Sequence, residues 1–306
     1  MESTSRTPDS GPVVVGVDGS DAARTAALWA AAEAVRRDRP LHLVHGADTE
    51  GRALHLSAQA LERVRADARN AGRELLDATA RAVRTEHPGL DLTTGFSTAD
   101  AVDSLRRAAG PHGTIVVGHR GRGGFDSLML GSVALDVAAA ATTPVVVVRG
   151  TGGAEETGTV LAAVRDVRDL PHARYAAREA ELRKASLRLL HVWNVLHSVG
   201  QVVSMLDGVD EIAGAHAAAL KAVGDAVSDE FPELEVSADA EKGVSVAGAL
   251  VEASRAADLL VMGGRRDPGT HRIARGLGRV THRVLHHAHC PLLLLPRPDV
   301  DPGNGP

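Results

Sequence analysis

Apolar residues along this chain fall into two alternating patterns. Short unbroken runs, PVVVGVD (12–18), PLHLVHGAD (40–48), GTIVVGHRG (113–121) and TPVVVVR (143–149), are rich in Val, Leu and Ile. Such runs suit strands buried on both faces, as in a parallel sheet. Between them the apolar positions recur at helical spacing. Ser20 is a candidate N-cap for a helix whose Ala27, Leu28, Ala31 and Val35 share a face. Residues 57–86 predict a longer helix with Leu61, Val64, Ala68, Leu75 and Val83 on its period, and 98–109 and 132–141 predict two more. The order is β-α-β-α-β-α-β-α-β, a doubly wound α/β unit with five parallel strands and helices on both faces.

The pattern then repeats. TVLAAVR (159–165) matches PVVVGVD, SLRLLHVWN (186–194) matches PLHLVHGAD, DLLVMGGRR (258–266) matches GTIVVGHRG, and CPLLLLPR (290–297) matches TPVVVVR. Pro144 and Pro291 are 147 positions apart, as are Val13 and Val160. The chain therefore reads as two tandem copies of one unit, 12–150 and 158–297. Residues 151–157 form a Gly- and Thr-rich linker, with a disordered polar tail over 1–11 and a second tail over 298–306.

Composition narrows the function. Aromatics are 2% of the 306 residues, so the cores must be built from Ala, Val and Leu. Net charge is -5 with no basic block, and the only lysines are Lys184, Lys221 and Lys242. Nucleic-acid binding thus has no electrostatic footprint. One cysteine, Cys290, excludes an internal disulfide. No run approaches the length of a membrane span, and the N-terminus lacks a signal peptide's apolar core, so a soluble cytoplasmic protein is expected.

The candidate chemistry lies after the fourth strand, in GHRGRGGFDSLMLGS (118–132). Gly118, Gly121, Gly123 and Gly124 leave backbone N–H groups open to close approach. Gly131-Ser132 opens a helix whose N-terminus offers unpaired N–H groups and a hydroxyl. Arg120 and Arg122 add positive charge. These features fit phosphate. A Walker-type Gly-Lys-Ser/Thr is absent, as is GxGxxG after the first strand.

The spacing Gly118-x2-Gly121-x9-Gly131-Ser132, the VVGVDGS opening, the VHG end of the second strand and the terminal TPVVVVR together resemble the universal stress protein family. The resemblance covers both copies. It implies an adenine nucleotide α-hydrolase-like fold, frequent dimerisation and, for one branch, ATP binding. Carried onto this chain, it implies a site in which Gly16 and Asp18 end the first strand near the nucleoside. Gly46 contacts adenine through its backbone, and Val117 and Gly118 lie beneath ribose and phosphates. Gly121, Gly131, Ser132 and Val133 hold the phosphates, with Mg²⁺ as an optional companion. It also implies pairing of the two copies through their last strands, or a homodimer.

The second copy departs from the pattern. Asp18 becomes Arg165, Gly121 becomes Arg266 and Ser132 becomes Arg279, and the loop between Gly263 and Gly278 is two residues longer. A structural partner that does not bind ATP is expected, against the alternative that Arg165, Arg265, Arg266, Arg272, Arg275 and Arg279 hold another anion. THRVLHHAHCP (281–291) gathers His282, His286, His287, His289 and Cys290, but nothing completes a tetrahedral set, so no metal site is expected. The function expected is a nucleotide-binding stress-response or signalling module. The alternatives are a slow ATP hydrolase, for which His45, His119 and Asp126 are the only titratable groups near the site, and an interaction protein without nucleotide. No catalytic residue is assigned.

Overall fold

The computed structural model describes residues 10–49, 57–121, 130–149, 156–194, 208–264 and 277–296. Arg122, Gly123, Gly124, Asp126, Arg265, Arg266, Arg272 and Arg275, both expected tails except residues 10 and 11, and linker residues 151–155 lie outside these. The chain divides into two compact units, Met1–Gly152 and Gly153–Pro306.

The first unit runs β1 (Val13–Gly16), α1 (Asp21–Arg36), β2 (Leu41–Gly46), α2 (Ala58–Glu86), β3 (Leu92–Ser97), α3 (Ala101–Ala109), β4 (Thr114–Gly118), α4 (Ser132–Ala139) and β5 (Val145–Val148). All neighbouring strands are parallel, in the order β3-β2-β1-β4-β5. Right-handed crossovers place α1 and α2 on one face and α3 and α4 on the other. The order reverses at β1, whose neighbours are β2 and β4, and the chains leaving β1 and β4 diverge to open a crevice beyond the strand ends.

The second unit repeats the plan with β6 (Thr159–Ala163), α5 (Leu170–Arg183), β7 (Ser186–Trp193), α6 (Gly208–Glu230), β8 (Val236–Lys242), α7 (Val246–Ala253), β9 (Leu259–Gly263), α8 (Arg279–His287) and β10 (Leu292–Leu295). Its strands are parallel in the order β8-β7-β6-β9-β10. No helix among the described residues is long and apolar enough to cross a membrane.

The cores are aliphatic. Val13 to Val15, Ile115 to Val117 and Val145 to Val148 are buried, as are Leu259 to Met262 and Leu292 to Leu295. Ser20 caps α1 as expected, its hydroxyl accepting from the Ala23 N–H at 3.1 Å. The buried face of α1 differs from the expected one. It is built of Ala23, Ala26, Ala27, Ala30, Ala31 and Ala34, while Val35 is 52% exposed. Alanine lets the helix sit close to β1 and β4, and that close contact outweighs the larger side chain in setting the rotation. In α2 the buried residues are Gly72, Leu76, Ala80 and Val83, and Val64 is exposed, because only the C-terminal half of the helix lies against the sheet.

Candidate functional site

The crevice at the β1/β4 reversal holds a cavity of about 590 Å³. Gly16, Asp18, Gly46, Val117, Gly118, Gly121, Gly131, Ser132 and Val133 all line it, so the structure brings the nine residues singled out in the sequence to one place. They come from the ends of β1, β2 and β4 and the head of α4.

Two glycines are there because backbone packs against them. A Cβ on Gly118 would lie 2.6 Å from the Ala22 carbonyl oxygen, at the first turn of α1. A Cβ on Gly46 would lie 2.7 Å from Ala101 Cα, at the first turn of α3. Gly121 faces a side chain instead, with Asp18 Oδ2 2.6 Å from its Cβ position. The other Asp18 oxygen is held by Ser20, through its N–H at 2.9 Å and its hydroxyl at 2.7 Å. Asp18 is thereby fixed at the cavity wall, the one carboxylate among the described residues lining it.

Gly131 plays another part. Its φ of -65° and ψ of 150° suit any residue, and among the described residues a Cβ there would meet nothing closer than 3.5 Å. What glycine provides is an uncapped helix. Ser20, Ser57 and Asp100 each accept backbone N–H groups at the heads of α1, α2 and α3, whereas Gly131 has no side chain to do so for α4. The first residues of α4, Ser132, Val133 and Ala134, line the cavity, at the helix end that carries unpaired N–H groups and partial positive charge. The Gly131 N–H itself bonds the His119 carbonyl at 2.8 Å, tying the end of β4 to α4.

A wall of apolar residues, Val17, Val44, Ala101, Leu105 and Leu130, also lines the cavity. This wall was not expected from the sequence. Ala101 and Leu105 share a face of α3, but their spacing only marks them as core, and tertiary packing brings them to the site. Arg120 also lines the cavity. Burial, together with the charges of Arg149 and Arg120, pushes the His119 imidazole below its ordinary value, and burial with Arg120 does the same to the Arg149 guanidinium. His45 Nδ1–H donates to the Val17 carbonyl at 2.8 Å, holding the imidazole at the β1/β2 edge of the cavity.

The second unit keeps the His45 bond, with His191 Nδ1–H donating to the Val164 carbonyl at 2.8 Å. Past the end of β6, however, the side chains differ. Arg165, at the position of Asp18, is bound to the buried Asp169 by Nε at 2.8 Å and Nη2 at 2.5 Å. Its backbone N–H donates to the same carboxylate at 2.9 Å. His172 lies 3.4 Å from Asp169, and its Cε1 is 2.5 Å from the Cβ position of Gly263, the counterpart of Gly118. Arg165 is thus engaged in an internal ion pair with Asp169. At the histidine-rich segment, His282 and His286 stand with ring centroids 4.5 Å apart, and Cys290 is buried.

Comparison with known proteins agrees with this architecture. The family model described as the universal stress protein family matches residues 10–149 and 157–296. A universal stress protein of Mycolicibacterium smegmatis is 27% identical over 290 residues, covering 92% of this chain and 96% of its own length. One from Mycobacterium tuberculosis is 34% identical over 181 residues, 58% of this chain and 64% of that protein, so the match spans a little less than two thirds of it. The crystal structure of a universal stress protein from Archaeoglobus fulgidus superposes with a TM-score of 0.70 at 17% identity, covering 95% of this chain and 98% of that one.

Proposed function

The chain belongs to the universal stress protein family, with one domain of the family in each half, and from that premise we propose that its first unit holds an adenine nucleotide, ATP, and serves as a nucleotide-binding stress-response or signalling module. The observation that carries this reading is the polarity of the cavity. Its lining joins the head of α4, which no side chain caps among the described residues, to the apolar residues Val44, Ala101 and Leu105. A volume of about 590 Å³ lies within the usual range for small-molecule sites.

In this reading the base lies against Val44, Ala101 and Leu105, with the Gly46 backbone at its edge. Asp18 Oδ2 offers the nucleoside an acceptor. Gly118, Gly121, Gly131, Ser132 and Val133 surround the phosphates. The reading fits a binding module, because the residues assigned roles bind and orient and none is placed to activate a water. The second unit takes no nucleotide in this manner, since Arg165, paired with Asp169, stands where Asp18 stands in the first.

The test is mass spectrometry of small molecules released on denaturing freshly purified protein. An adenine nucleotide at up to one per chain supports the reading. Absence of any nucleotide, with no binding on adding millimolar ATP, contradicts it.

A further inference from the structure

We propose that Arg120 makes this cavity select the phosphate-rich form of its nucleotide, an inference that rests on the adenine-nucleotide reading above. Arg120 stands between the two elements that would meet phosphate. It follows β4 by two residues, and its Cα is 3.5 Å from the Cβ position of Gly131 at the head of α4. Its carbonyl accepts from the Ser20 hydroxyl at 3.4 Å, which ties its backbone to the head of α1. Arg120 lines the cavity, and its Nε is buried without a hydrogen-bond partner among the described residues. A buried N–H of a charged group is costly until an acceptor arrives.

The sign of the charge points the same way. Cations are unfavourable at helix N-termini, yet this chain places an arginine's backbone beside the head of α4, which among the described residues no side chain caps. Arg149 and His119 are close enough that the charge of Arg120 lowers the proton affinity of both. Two guanidinium charges, those of Arg120 and Arg149, therefore interact beside the end of β4. A local conflict of this kind, kept in an otherwise consistent fold, marks the place where a ligand supplies the missing partner.

Selectivity follows from where the charge grows. The apolar wall and the backbone N–H groups serve AMP, ADP and ATP alike. Each added phosphate brings further negative charge toward the guanidinium, so Arg120 contributes most to ATP.

The test is titration calorimetry of the full chain with AMP, ADP and ATP at low and high salt, repeated for Arg120→Gln and Arg120→Lys. The wild type binds ATP more tightly than AMP. Arg120→Gln weakens ATP by roughly ten- to hundredfold, weakens AMP less, and flattens the salt dependence of ATP binding. Arg120→Lys, which keeps the charge and loses the planar fork, falls between the two. An unchanged ATP-to-AMP ratio in both variants overturns the role of Arg120 and leaves the nucleotide site standing. A wild type that binds AMP as tightly as ATP overturns it as well. A wild type that binds no nucleotide overturns the inference together with the reading beneath it.

Discussion

Asp18 and Gly121 face each other so closely that the Asp18 Oδ2 lies 2.6 Å from where a Cβ at position 121 would stand. The two residues are over a hundred positions apart, and glycine at 121 is what lets the end of β1 and the end of β4 share one wall. A methyl group there must displace either the carboxylate or the loop. Because the obstacle is a side chain, the fold can yield while the site cannot. Gly121→Ala should weaken ATP binding at least tenfold, about 1.4 kcal/mol, with unfolding stability within about 1 kcal/mol of wild type. Calorimetry and denaturant unfolding on the same preparation check both. Asp18→Ala should weaken binding too, but it also frees the Ser20 N–H and hydroxyl at the head of α1, so it carries an added stability cost of about 1 kcal/mol.

Gly118 and Gly131 should separate in the same assays. A Cβ at 118 would strike the Ala22 backbone, which cannot move without shifting α1. Gly118→Ala should destabilise the first unit by about 1–3 kcal/mol. Gly131→Val meets only ordinary contacts, so its fold survives, but its branched side chain covers the N–H groups at the head of α4. ATP affinity should fall sharply in Gly131→Val while its unfolding midpoint moves little.

Asp169 governs acid stability in the second unit. Burial opposes its ionisation, but hydrogen bonds from His172 and Arg165 outweigh burial and hold the carboxyl well below the usual carboxylate range. A depressed folded value means the stabilisation is present above the unfolded value, near 4, and disappears as pH falls below it. Asp169→Asn should cost about 2 kcal/mol at pH 7. Its unfolding stability should then decline less steeply than that of wild type as pH drops below about 4. Denaturant unfolding at pH 7, 4 and 3 measures both slopes, and equal slopes would contradict the assignment.

Cys290 should be inert. Burial pushes its thiol up to about 12, so almost no thiolate exists near neutrality. Native protein should resist iodoacetamide at pH 8 and react fully once unfolded. Intact mass before and after denaturant distinguishes the two states.

The strands and the glycine-rich edge of the cavity were legible in the sequence because each rests on local pattern. Unbroken runs such as Val145 to Val148 carry their own burial signal, and Gly118, Gly121 and Gly131 stand out by spacing. The rotation of α1 was not legible. Hydrophobic size points to Val35, while close packing favours the alanine face from Ala23 to Ala34. The apolar wall was equally hidden, since Ala101 and Leu105 meet Val44 only after β2, β1 and α3 assemble. The pairing of Arg165 with Asp169 was not legible either, since nothing in the local pattern marks Asp169 as buried. Only the fold reveals that Asp169 is buried and shared with His172.

The asymmetry between the two copies is tested most directly by the stoichiometry of ATP binding to the intact chain. Titration calorimetry should give one site per chain, lost in Gly121→Ala and kept when Arg165 is replaced by alanine. Two sites per chain, or a single site that survives Gly121→Ala, would place the nucleotide elsewhere and contradict the account.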